Sequence, residues 1–138
     1  MGSGQLRVLL VDDDEDDCFF FREALGGLDI LTKLQILMNG EDLMNFMTTT
    51  NEFPHIVFLD FNMPRKNGLQ CLAELKRDEK FKTIPVIILS TAFDKNHIEE
   101  LRDLGALHYI VKPNDFKQLG NEISEVLTLH LNTVNIAD

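Results

Sequence analysis

Arg7 to Val11, RVLLV, is apolar after its first residue and runs straight into the acids Asp12 to Asp17, DDDEDD. A short apolar run rich in branched residues has the make-up of a strand. Because the run is continuous and does not alternate, both faces of that strand must be covered. Strands covered on both faces belong mostly to parallel sheets whose crossovers are helices. The break at Asp12 then sets carboxylates at the strand's end.

Working outward, the same pattern recurs. Glu15 to Leu25 reads as a helix, with acids at its positive end, Phe19, Phe20, Ala24 and in part Phe21 as packing candidates, and Gly26-Gly27 as its stop. A more polar strand at about Leu31 to Leu37 alternates Leu34 and Ile36 with Lys33 and Gln35, and Asn39-Gly40 turns the chain. Glu41 to Thr48 is expected to be a short helix carrying Leu43, Met44, Phe46 and Met47, ahead of a loop at Thr49 to Pro54. The third strand, Ile56 to Leu59, again ends on an acid, Asp60. After Met63-Pro64 and Gly68, a helix from about Leu69 to Asp78 bears Leu69, Leu72, Ala73 and Leu75. Pro85 opens the fourth strand, Val86 to Leu89, and Asp94 caps a helix with Ile98, Leu101 and Leu104 that closes at Gly105. Tyr109 to Val111 is the fifth strand, ended by Lys112-Pro113. Asp115 to about Leu131 forms a last amphipathic helix with Phe116, Leu119, Ile123, Val126, Leu127 and His130. Five βα units around a mainly parallel sheet result.

The 138 residues suffice for one domain and one core, and 44% hydrophobic content without low-complexity runs describes a globular chain. A net charge of −10 repels phosphate backbones and anionic lipid, so neither nucleic acid nor membrane is an expected partner. No run of about 18 apolar residues could span a bilayer, and the N-terminus lacks the order of a signal peptide. Cys18 and Cys71 show no metal spacing and are expected to be reduced thiols, which with the missing leader predicts a cytoplasmic location. Residues 1–5 are expected to be a flexible start and 132–138 a tail, with no segment able to form an output domain. The four histidines, His55, His97, His108 and His130, lack metal spacing, and no glycine-rich nucleotide loop follows a strand.

In an open parallel sheet, ligands bind beyond the carboxyl ends of the strands. Four strand ends here are polar: Asp12-Asp13, Asp60, Ser90 and Lys112. Singly, each has an ordinary reading, the acids as helix caps, Lys112 as a surface lysine and Ser90 as a strand-end hydroxyl. Together they hold three carboxylates that need a cation, a hydroxyl and an ammonium. A hard divalent ion such as magnesium suits the oxygen ligands, with Asp13 and Asp60 as direct ligands and Asp12 acting through water. Lys112 and Ser90 could stabilise phosphoryl oxygens, leaving Asp60 as the nucleophile.

Four segments in order, VLLVDDD (Val8 to Asp14), VFLDFNMPRKNG (Val57 to Gly68), IPVIILST (Ile84 to Thr91) and YIVKP (Tyr109 to Pro113), resemble the receiver domains of two-component response regulators. The resemblance covers about residues 6–131. It implies a doubly wound α/β fold of the (βα)5 flavodoxin-like kind, a three-layer sandwich with a five-stranded parallel sheet in the order 2-1-3-4-5. It also implies Asp60 as phosphoacceptor, with magnesium held by Asp13, Asp60 and the backbone carbonyl of Asn62 while Asp12 supports through water. Ser90 and Lys112 would bind phosphoryl oxygens, and Tyr109 matches the aromatic switch residue coupled to Ser90. Asn62 and Ala92 match the variable positions that tune phosphoryl lifetime. The implied protein is a signalling switch, not an enzyme, with self-catalysed phosphoryl transfer and autodephosphorylation at Asp60. Its partners would be a sensor histidine kinase or phosphotransfer protein and a downstream protein target, and the chain itself a monomer or weak homodimer. The segment Arg77 to Thr83, RDEKFKT, resembles the single-domain regulators that accompany phytochrome-type kinases. The alternatives are a receiver-fold adaptor that takes no phosphate and a metal-dependent phosphatase. The latter requires an acid two residues after the nucleophile, where this chain has Asn62.

Overall fold

The computed structural model describes residues 4–130, with the order β1 (Leu6–Val11), α1 (Glu15–Gly26), β2 (Thr32–Leu37), α2 (Leu43–Thr49), β3 (Ile56–Asp60), α3 (Gly68–Arg77), β4 (Val86–Ser90), α4 (Lys95–Asp103), β5 (His108–Val111) and α5 (Phe116–His130). The strands form one parallel sheet in the order β2-β1-β3-β4-β5. Most of the expected N-terminal segment, together with Leu131, the side chain of His130 and the tail, lies outside the described residues.

Strand periodicity divides the core in two. Leu6, Val8 and Leu10 of β1, with Phe58, Ile87, Leu89 and Ile110, pack under α1 and α5. Leu9 and Val11, with Val57, Leu59, Val86 and Ile88, pack under α2, α3 and α4. Every residue of β3 and β4 is buried, which is why their sequences do not alternate. The edge strand β2 exposes Lys33 and Gln35, as its alternation predicts.

Several boundaries and faces depart from the sequence reading. In α1 the buried residues are Cys18, Phe21, Ala24 and Leu25, at helical spacing, which turns Phe19 out to 56% exposure. Phe116 is also largely exposed, although it stacks on Phe20 with ring centroids 4.2 Å apart. Helix α2 starts at Leu43 and not at Glu41, because Asn39 accepts from the Asp42 backbone N–H (2.8 Å) and donates to the Asp42 side chain (3.1 Å), holding 39–42 as a turn. Helix α3 starts at Gly68 behind a capping box, in which Asn67 accepts from Gln70 N–H and the Gln70 side chain accepts from Asn67 N–H, each at 2.9 Å. Asp94 caps α4 as expected, and Gly105 follows it at φ +102°, a conformation that favours glycine.

Candidate functional site

The register places the strand-end residues. Val11 pairs with Leu59, so Asp12 and Asp60 stand side by side one step on, and Ser90 pairs with Val111 just before Lys112. The ladder continues past the strand ends through Asp12 N–H to Leu37 O (3.0 Å), Phe61 N–H to Leu89 O (2.8 Å) and Lys112 N–H to Ser90 O (2.7 Å). Side chains therefore keep alternating between faces there. Asp12 and Asp60 continue the rows of Leu10 and Phe58, and Lys112 that of Ile110, all on the α1/α5 side. Ser90 continues the row of Ile88, on the α2–α4 side. The hydroxyl and the ammonium thus flank Asp60 from opposite faces of the sheet.

One carboxylate oxygen from each of Asp12, Asp13 and Asp60 lies within 4.8 Å of the other two. Asp12 and Asp60 are buried, 1% and 4% exposed, while Asp13 opens to solvent. Both Asp12 oxygens are engaged, Oδ1 accepting from Asp14 N–H at 3.0 Å and Oδ2 from Lys112 Nζ at 3.0 Å. The helix cap that an acid after β1 could supply comes from Asp14, whose side chain accepts from Asp17 N–H at 3.0 Å. Asp12 and Asp13 are thereby left to the site. The tight fit of α3 beneath it depends on Gly68, where a Cβ would meet the carbonyl oxygen of Asp60 at 2.6 Å and the Cα of Phe61 at 2.8 Å.

Lys112 Nζ lies 3.0 Å from Asp60 Oδ1, 3.0 Å from Asp12 Oδ2 and 2.8 Å from Asp17 Oδ2. Burial, followed by the neighbouring Asp12 carboxylate, pushes the Asp60 carboxyl up to about 6 against the pull of Lys112. Burial raises the Asp12 carboxyl as well. Burial also works against the Lys112 ammonium, but the hydrogen bond to Asp17 and the charges of Asp12 and Asp60 outweigh it, so the amine titrates above an ordinary lysine. One ammonium cannot neutralise this many acids. The donors are oxygens only, a set that fits a hard divalent cation.

Ser90 Oγ donates to Ala92 O at 2.8 Å and accepts from Asn62 Nδ2 at 3.3 Å. Tyr109 is not part of the carboxylate cluster; it packs on the α2–α4 side, with its ring 5.5 Å from that of Phe93. The sequence reading does not single out Asp17 among the six acids of its run; the first turn of α1 brings it to Lys112. Asn62, expected to act through its backbone carbonyl and as a variable position, also bonds Ser90 through its side chain.

Residues 8–124 match the model of the response regulator receiver domain. The chain is 30% identical over 134 residues to the response regulator Rcp1 of Synechocystis sp., covering 94% of this chain and 91% of that one. Among solved structures, the phosphorylated cyanobacterial phytochrome response regulator RcpA has a TM-score of 0.85 at 27% identity, over 97% of this chain and 99% of that one. The Mn2+-bound form of Rcp1 has a TM-score of 0.81 at 28% identity, over 96% and 99%.

Proposed function

Because the chain belongs to the response regulator receiver domains of two-component signalling, we propose that it is a phosphorylation-controlled switch whose Asp60 accepts a phosphoryl group from a histidine kinase or phosphotransfer protein. The observation that carries this reading is the cluster of Asp12, Asp13 and Asp60, with Lys112 3.0 Å from the Asp60 carboxylate.

A carboxylate oxygen of Asp60 forms the new O–P bond as the P–N bond of a phosphohistidine breaks, and the electron pair leaves on the imidazole nitrogen, which takes its proton from solvent. With the carboxyl titrating at about 6, Asp60 is predominantly ionised at neutral pH and available as the nucleophile. Lys112 meets the transferred oxygens from the α1/α5 side and Ser90 from the opposite side, the latter by giving up its bond to Ala92 O. Asp13, Asp60 and the backbone carbonyl of Asn62, with Asp12 supporting through water, would hold magnesium, which would supply charge neutralisation for the transfer. Release of Ser90 frees space beside β4 for Tyr109 to move, which changes the surface read by a downstream protein. Autodephosphorylation at Asp60 returns the switch to rest. Action in the cytoplasm is part of this proposal; among the described residues no helix is long and apolar enough to cross a membrane.

The test is labelling with radioactive acetyl phosphate. Magnesium-dependent incorporation is expected in the wild type and none in Asp60→Asn. Label retained by that variant would remove Asp60 from the role, and a wild type silent to both magnesium and beryllofluoride in calorimetry would mark an adaptor.

A further inference from the structure

The Lys112 ammonium has three N–H bonds and three carboxylates within 3.0 Å, and two of the three, Asp12 and Asp17, accept well-aligned hydrogen bonds. Asp17 differs in kind from the other two. Asp12 and Asp60 stand at adjacent strand ends with side chains 1% and 6% exposed, whereas Asp17 belongs to the first turn of α1 and is 41% exposed. The start of the helix does not need its carboxylate, because Asp14 already caps it. Phe20, Phe21, Pro113 and Leu119 line the narrow cavity that Lys112 shares with Asp12 and Asp17. The aliphatic stem is thus confined, and its charged end is suspended between a buried pair of acids and one acid at the rim.

We infer that Asp17 is a positioning residue for phosphoryl transfer, holding the Lys112 ammonium at the mouth of the site where an incoming phosphoryl group meets it. The inference rests on the reading of Asp60 as phosphoacceptor. A lysine end group is a compact charge on a flexible stem and settles wherever negative charge is densest. Without Asp17, Asp12 and Asp60 alone would claim it. The ammonium, already 3.0 Å from Asp60 Oδ1, would then turn to the nucleophile the N–H it now gives Asp17, withdrawing it from the phosphoryl oxygens and shielding the attacking atom.

The effect of charge alone has the opposite sign, which makes the inference testable. Removing a carboxylate beside an anion site should, through the field alone, favour anion binding. A positioning role predicts that anion binding weakens. Beryllofluoride, a phosphoryl mimic, is titrated calorimetrically at saturating magnesium into wild type, Asp17→Ala, Asp17→Asn and Asp17→Glu, with acetyl phosphate labelling rates measured in parallel. Affinity and labelling rate are expected to fall about tenfold in Asp17→Ala, the weight of one charge-assisted hydrogen bond at a partly exposed site. Asp17→Asn should show a smaller loss, and Asp17→Glu, long enough to reach Lys112 from the helix surface, should recover most of it. Thermal melts of the three variants should match wild type, since the helix cap is intact. Equal or tighter beryllofluoride binding in Asp17→Ala, with a responsive wild type, overturns the positioning role alone. A wild type that neither binds beryllofluoride nor takes label overturns the phosphoacceptor reading and this one with it.

Discussion

Asp60 carries a penalty that depends on pH. Its carboxyl titrates at about 6 in the folded chain, against an ordinary value of 3.8, so between those values the native state binds more protons than the unfolded one. The contribution of Asp60 to stability without metal therefore falls as pH rises from about 4 to about 6 and levels off above, the reverse of a salt-bridged carboxylate. Asp60→Asn mimics the protonated acid and escapes the penalty. In urea denaturation with a chelator present, that variant is expected to be more stable than wild type by about 2 kcal/mol at pH 7.5, with the gap closing towards pH 4. A gap independent of pH would mean that Asp60 is ionised without strain. The same energetics predict that magnesium stabilises the wild type at pH 7.5 more than at pH 5, where protons compete for the carboxylate.

At the scale of elements, α3 meets the end of β3 at a separation that only a hydrogen atom permits. The Cβ of an alanine at position 68 would press on backbone atoms of Asp60 and Phe61, and backbone cannot swing aside as a side chain can. Gly68→Ala is expected to cost about 1–3 kcal/mol in chemical denaturation. It should also weaken magnesium binding in calorimetry, because the displaced segment is the one that carries Asp60. An unchanged metal affinity would show that the loop yields without moving the site. Lys76 secures the far end of α3 by donating to the carbonyls of Lys82 (3.0 Å) and Ile84 (2.9 Å), which fixes the approach to β4.

Over the whole molecule, the sheet separates two cores, and each holds one cysteine, Cys18 on the α1/α5 side and Cys71 on the other. Burial pushes the thiols up to about 12 and about 11, so neither is a nucleophile at pH 8 in the native state. If the two cores unfold as one unit, a disulfide exchange reagent should modify both thiols at a single rate that follows global unfolding across urea concentrations. Two separate rates would reveal a core that opens by itself. That both faces of the central strands are covered was legible in the sequence, because strands such as VFLD and VIILS carry no polar residue until their ends, but the one core expected there is two, one on each face of the sheet. Side-chain direction was less so. The apolar content of FFF at 19–21 marks a helix but not which ring faces inward, and that is settled by the sheet α1 packs on. The carboxylates, hydroxyl and ammonium could be listed from strand ends alone. The engagement of Asp17 with Lys112 could not, since it depends on how far the first turn of α1 leans over a residue 95 positions away.

That span bears on how the chain is made. Asp12, Asp13 and Asp60 leave the ribosome long before Lys112, and β5, at the edge of the sheet against β4, is the last strand to be made. Synthesis proceeds at about 5–20 residues per second, so the acids wait several seconds for their cation. Any sheet formed from β1 to β4 in that interval would have its carboxylates without Lys112 and its β4 edge open. The nascent chain thus gains Lys112 only with the residues of β5, and under the proposed function no chain lacking them can answer a kinase with a finished site.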